Sequence, residues 1–306
     1  MRGSAIAALM LGFLCMIPPA WAEEKCQLIR VASLDIGPNS THVTVQAAIG
    51  DQPLTMIVDT GGVFTMLSQS KATALGLPVD IEAGSNLVMF GGQVIRRFAT
   101  FKDFTLGRMK APRFRYPLLP DGFLPPDVDG ILSPDFLANF DLDFDFANAK
   151  LNLFSRDHCE GKVVYWTHDP DAIAKISLTK DEMYHIFIHV QLDGQDFKAL
   201  IDTGAERSTM SLESAEDAFD ISDDSPKLQH VPGPNNTKNA RRYPFKQLSF
   251  ANVMVNNPDI TLVPDKEAGM GPSKPDLIIG MGILRQLHLY IAYGEKTLYL
   301  TAASAH

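Results

Sequence analysis

Asp59-Thr60-Gly61 and Asp202-Thr203-Gly204 are the same tripeptide, 143 residues apart. Each closes an apolar run, Met56-Ile57-Val58 in the first case and Ala199-Leu200-Ile201 in the second. A carboxylate at the end of a buried strand is costly to desolvate and calls for a compensating role. Two of them at equivalent points of the chain suggest that they meet. Two adjacent carboxyls titrate as a pair and hold one proton between them. The ionised member can take a proton from water while the protonated member donates to a carbonyl oxygen. That combination hydrolyses an amide without a metal or a covalent nucleophile. One such tripeptide is weak, because Asp and Gly are common turn residues. Two in the same frame are strong.

The elements that must position these carboxylates also occur twice. Thr41-His42-Val43-Thr44-Val45 matches Tyr184-His185-Ile186-Phe187-Ile188 at an offset of 143, and both read as period-2 strands. Turns follow at Gly50-Asp51-Gln52-Pro53 and at Asp193-Gly194-Gln195, so each half opens with a β-hairpin leading into its tripeptide. Downstream, Arg96-Arg97-Phe98 aligns with Arg241-Arg242-Tyr243 at an offset of 145. Asp129-Gly130-Ile131-Leu132-Ser133 aligns with Asp276-Leu277-Ile278-Ile279-Gly280 at an offset of 147. Paired strands over 142–154 and 289–301 keep that offset. The slow drift indicates one unit duplicated, with small loop insertions.

With these motifs in place, the chain resembles the aspartic proteases of the pepsin and retropepsin type, in particular an exported bacterial protein with two retropepsin-like domains. The likeness covers roughly residues 41–301. Its tighter form is Leu200-Ile201-Asp202-Thr203-Gly204-Ala205, together with Ile278-Ile279-Gly280. The resemblance implies an all-β, bilobal, pepsin-like architecture of two β-barrel lobes with short helices. The lobes are expected at 23–155 and 184–306, joined by a polar connector at 156–183 with a short helix over 171–175. Asp59 and Asp202 would be catalytic. Thr60 and Thr203 would cross-brace the two loops, and Gly61 and Gly204 would let backbone N–H groups approach the carboxylates. A flap is expected at Val88-Met89-Phe90-Gly91-Gly92-Gln93-Val94, with Met89, Phe90, Gly91 and Gly92 at its tip. Two glycines between apolar arms suit a mobile cover. The matching position in the second half, Pro234-Asn235-Asn236, is polar, so the first lobe would supply the main cover.

The first half departs from the family twice. Residue 62 is Gly where Ala, Ser or Thr is usual, and Ser133 stands where Gly is expected. A Gly there permits unusual dihedrals or a close backbone approach. Ser133-Pro134-Asp135 also reads as the N-cap and first positions of a short helix. Pepsins carry a hydroxyl after the glycine that donates to the catalytic carboxylate, and Gly62 and Ala205 cannot do so. Losing a donor to the ionised form raises a carboxyl pKa. Activity is therefore expected at mildly acidic to neutral pH.

The 306 residues are 45% hydrophobic and 21% charged, an ordinary globular composition. A formal net charge of −9 gives no support to nucleic-acid binding. Arg2, the apolar stretch 5–17 and Ala20-Trp21-Ala22 read as a secretory signal over 1–22. Its removal would leave Cys26 and Cys159, an even count that suggests a disulfide in an exported chain. Asp141, Asp143 and Asp145 alternate with Leu142, Phe144 and Phe146, which reads as a strand with an exposed acidic face. His185 and His189 are spaced as on a zinc-binding helix but sit on a strand pattern, so no metal and no cofactor are expected. With the signal-like segment, the resemblance implies a periplasmic or secreted aspartic endopeptidase, acting as a monomer on a periplasmic or membrane-anchored polypeptide. The alternative is a catalytically inactive member of the same fold that binds peptides.

Overall fold

The computed structural model of the chain describes residues 27–38, 41–85, 87–88, 94–170, 173–177, 179–181, 183–222, 224–234, 237–268 and 275–303. Three large sheets organise these residues, with short helices at their margins. Each half opens with the expected hairpin. Thr44–Ile49 pairs antiparallel with Gln52–Val58, and Ile186–Leu192 with Gln195–Ile201. Both first strands begin later than the pattern predicts, because Tyr184 adopts a positive φ of 64° and Thr41 lies in a bend.

In the first lobe, seven strands form one sheet in which six close into a barrel. Gln52–Val58 runs parallel to Gly130–Leu132, which pairs with Met66–Ser68, followed by Met109–Leu119 and Arg97–Leu106. Arg97–Leu106 closes the ring on Thr44–Ile49 through Ala47↔Leu106. Alternating residues fill the interior, among them Val45, Leu54, Met56, Phe104 and Leu118, all nearly inaccessible.

The second lobe repeats this order but does not close, so the expectation of two barrels holds for one lobe only. Where the first lobe has the continuous strand Met109–Leu119, the second has Val253–Asn256 and then Ile260–Val263. Between them Asn257 takes a left-handed φ of 48° and Pro258 offers no N–H. The chain leaves the ladder there, and the sheet stays a half-barrel.

A third, six-stranded antiparallel sheet joins the lobes. Its order is Arg30–Asp35, Lys150–Phe154, Asp141–Asp145, Leu287–Ala292, Thr297–Ala302, Ala174–Ser177. Three strands come from each half, and the halves meet where Asp143 faces Tyr290 and Asp145 faces His288. Leu142, Phe144, Leu289 and Ile291 point into the main core.

Two expectations fail at this sheet. The acidic face of Asp141–Asp145 is not exposed, because Asp141 and Asp143 are fully buried. The connector covers it, bringing Val163, Val164, Trp166 and Ile173 down on Phe154, Tyr290 and Tyr299. Beneath that cover the acids are paired. His288 Nε2 lies 2.6 Å from Asp143 Oδ1, Tyr165 donates to Asp143 Oδ2 at 2.5 Å, and Asn152 donates to the same oxygen at 2.8 Å. The His288 ring stacks on Trp166 with centroids 4.2 Å apart. His158 Nε2 sits 2.5 Å from Asp141 Oδ2. Burial raises the Asp141 pKa, with His158 opposing it. The second failure is the connector itself. Ala174 and Lys175 lie in the edge strand Ala174–Ser177 rather than a helix, because the sheet offers that segment a ladder along Thr297–Ala302.

Candidate active site

In each lobe a parallel strand pair delivers the aspartate. Gln52–Val58 beside Gly130–Leu132 places Asp59 where its N–H donates to Leu132 O at 2.9 Å. Gln195–Ile201 beside Leu277–Ile279 places Asp202 where its N–H donates to Ile279 O at 3.0 Å. Thr55 and Lys198 each donate an N–H to the carboxylate preceding the second strand, Asp129 and Asp276, which locks the register in both lobes. The turn that follows folds back on its own carboxylate. Asp59 Oδ1 accepts from Gly61 N–H (3.0 Å) and Gly62 N–H (2.8 Å). Asp202 Oδ1 accepts from Gly204 N–H (2.8 Å) and Ala205 N–H (3.1 Å).

The two turns interlock across the lobe boundary. Thr60 Oγ1 donates to Ile201 O at 2.8 Å, and Thr203 Oγ1 donates to Val58 O at 2.7 Å. Each hydroxyl also accepts the other threonine's N–H at 3.1 Å, and both threonines are fully buried. The glycines matter for space. A Cβ on Gly61 would lie 2.3 Å from Asp202 Cγ, and one on Gly204 would lie 2.4 Å from Asp59 Cγ. Only glycine lets each turn approach the opposite carboxylate so closely.

Asp59 and Asp202 are hydrogen-bonded to each other through their side chains. Burial raises both pKa values. Asp59 is raised well above the ordinary carboxylate range, with the Asp202 charge and hydrogen bond adding to burial. For Asp202 the bond from Asp59 and the N–H groups of Gly204 and Ala205 oppose the shift. The pair therefore holds one proton into a pH range where isolated carboxyls have lost theirs, and that proton belongs to the pair rather than to either carboxyl. Such a pair can accept a proton from water and donate one to an oxygen in the same event.

A family model described as "Aspartyl protease" matches this sequence twice, over residues 45–136 and 188–283. The chain belongs to the aspartyl protease family. The two matches coincide with the two lobes and contain the two tripeptides. Among solved structures, basic 7S globulin from soybean aligns at 11% identity with a TM-score of 0.49, covering 92% of this chain and 96% of the globulin. Conglutin gamma, a basic 7S globulin from lupine seeds, aligns at 10% identity with a TM-score of 0.46, covering 90% and 95%. No curated protein matches the sequence significantly.

Other residues of this aspartyl protease family chain are placed as follows. The expected flap has its arms: Leu87 pairs with Ile95 and Val88 with Val94 in an antiparallel ladder. Its tip, with Met89, Phe90, Gly91 and Gly92, lies outside the described residues, as do the expected signal segment and Cys26. His189 lies exposed on its strand, away from the pairings that involve His185.

Sequence reasoning missed His185. Its Nε2 lies 3.0 Å from Gly62 O and its Nδ1 lies 2.8 Å from Asp181 Oδ2, so a second-lobe ring ties down the turn behind Asp59. Both partners are acceptors, so both bonds form together only when both ring nitrogens carry protons. The repeat itself held a signal, since His42 is the equivalent residue in the first half. Burial lowers the pKa of His42.

Proposed function

We propose that this chain is an aspartic endopeptidase. The observation that supports the reading is geometric: the two Asp-Thr-Gly turns interlock through Thr60 and Thr203, and each turn glycine lies against the opposite carboxylate. The ionised member of the Asp59–Asp202 pair takes a proton from a water whose oxygen attacks the scissile carbonyl carbon. The protonated member gives its proton to the carbonyl oxygen, forming a neutral tetrahedral gem-diol. On collapse the carboxylate left ionised takes a hydroxyl proton of the gem-diol as the carbonyl re-forms, and the carboxyl that took the water proton gives it to the departing nitrogen as the C–N bond breaks, which restores the pair. One chain supplies both carboxylates, so activity is expected to rise linearly with protein concentration, as for a working monomer.

The substrate is an extended polypeptide. We assign it to the periplasm or to the outer face of a membrane, on the basis of the signal-like segment at 1–22. Among the described residues, no helix is long and apolar enough to cross a membrane. The decisive experiment is digestion of a peptide library at pH 3 to 8 with and without pepstatin. Cleavage that pepstatin abolishes is expected, with the alkaline limb of kcat/KM lying above that of an isolated carboxyl because burial raises the pair. Saturable peptide binding with no cleavage anywhere in that range would overturn the reading in favour of a non-catalytic peptide-binding protein.

Export also bears on the cysteines. The pairing of Arg30–Asp35 with Lys150–Phe154 continues one step further, with Ser155 N–H donating to Ile29 O at 2.9 Å. In the sequence Cys26 lies three residues before Ile29 and Cys159 four after Ser155. We propose a bridge between them. Peptide mapping of the nonreduced protein should recover a linked Cys26–Cys159 pair, and two alkylatable thiols would refute it.

A further inference from the structure

The first lobe departs from its family at Gly62 and at Ser133, and the two departures occupy one place. Ser133 and its counterpart Gly280 share a backbone. Their φ/ψ values are −114°/175° and −101°/−176°, extended conformations open to any residue. Both N–H groups are received alike: Ser133 donates to Thr65 Oγ1 at 3.1 Å and Gly280 to Ser208 Oγ at 3.1 Å. The dihedral freedom expected of a glycine here is therefore not what matters. Space is. A Cβ on Gly280 would lie 2.7 Å from Ala205 O and 2.6 Å from Arg207 O, so backbone excludes a side chain in the second lobe. In the first lobe the side chain of Ser133 enters the region left open by Gly62. A Cβ on Gly62 would lie 2.4 Å from Ser133 Oγ and 2.8 Å from Asp59 Oδ2.

Ser133 is 1% exposed, and its hydroxyl has no hydrogen-bond partner among the described residues. A buried hydroxyl beside a carboxylate is costly unless it donates. Asp59 Oδ1 already accepts two N–H groups, whereas Oδ2 faces the space that Ser133 enters. We propose that Ser133 supplies Asp59 with the hydroxyl donor that pepsins carry on the residue after the tripeptide glycine, making Ser133 a positioning residue that sets the proton affinity of the pair. Ser133 Oγ and Asp59 Oδ2 lie 2.4 and 2.8 Å from one point, a separation that a single bridging water can span. The proposal deepens the proteolytic reading and rests on it for its catalytic meaning.

Other groups act on the same pair. Asp202 is bonded to Asp59, with His185 acting on Asp202. His42 lies in the field of Asp202, Asp127, Glu206 and Arg285. Asp135 and Tyr116 flank Thr65, which also receives the Ser133 N–H. All of them remain in the variants below, so a shift reports the hydroxyl.

The test is a carbon-13 NMR titration of the Asp59 and Asp202 carboxyls in the full chain, beside the pH profile of kcat/KM. A donor to the ionised form lowers a pKa, so removing it must raise one. Ser133→Ala is expected to move the upper apparent pKa of the pair, and the alkaline limb of activity, upward by about 0.5–1 unit. The exchange Gly62→Ser with Ser133→Gly, which returns the hydroxyl to the pepsin position, is expected to reverse most of that shift. If Ser133→Ala folds poorly, Ser133→Gly copies the residue of the second lobe and gives the same reading. A titration that stays within about 0.2 unit of wild type, or moves downward, overturns the proposal. So does an exchange variant that titrates like Ser133→Ala. The titration needs no turnover, so a protein that cleaves nothing would sink the proteolytic reading and still decide the role of Ser133.

Discussion

Asp59→Asn and Asp202→Asn are each expected to lower kcat/KM by at least about 10³-fold while leaving the fold intact. Each substitution keeps the planar shape of the side chain but removes one half of the shared proton system. General acid–base steps of this kind contribute about 10²–10⁴ each, and residues that act as a unit fail together. The double variant should therefore be little worse than either single one. Stability should move in the opposite direction to activity. Burial raises the Asp59 pKa, so the folded wild type binds protons more tightly than the unfolded chain. Its stability is then fully present below the ordinary carboxylate pKa and is lost as pH rises through the raised one. Asn has no such proton to lose. Asp59→Asn should match wild type in thermal unfolding near pH 3 and equal or exceed it at pH 7. A single variant retaining more than about a tenth of wild-type kcat/KM on a good peptide would refute the paired mechanism.

The largest effect on stability is expected far from the aspartate pair, at Asp143→Ala. The carboxylate is fully buried at the seam between the lobes and receives His288, Tyr165 and Asn152. Removing it leaves the buried donors His288 and Asn152, and the half-exposed Tyr165 hydroxyl, without their acceptor, and breaking a buried pair of this kind costs about 3–5 kcal/mol. That is a large part of the roughly 5–15 kcal/mol that holds a typical domain folded. Urea unfolding should show the loss as a lower midpoint with an unchanged slope. Asp35→Ala serves as the control, because its side chain is 86% exposed on an edge strand of the same sheet. An exposed ion pair contributes at most about 1 kcal/mol. Equal losses in the two variants would show that the buried network is not what secures the seam.

The sequence by itself determined which residues form the aspartate pair and the order of elements around them. The duplicated frame made this possible, because carboxylates at the ends of apolar strands stand out and the repeat verifies each element against its partner. The helix Pro134–Leu137 was legible for a local reason, with Ser133 at its N-cap and Pro at its first position. Tertiary structure alone decided what depended on segments distant along the chain. Asp141 and Asp143 alternate with apolar residues like any strand with a wet face, and only the descent of the connector onto that face buries them. Ala174 and Lys175 became strand because an open sheet edge lay alongside. The second lobe stayed open because Asn257 and Pro258 interrupt a ladder that sequence alignment would have continued. Gly62 and Ser133 read as two separate irregularities 71 residues apart until the fold placed them together. Their compatibility is a matter of volume, and volume between residues so distant is defined only once the chain has folded.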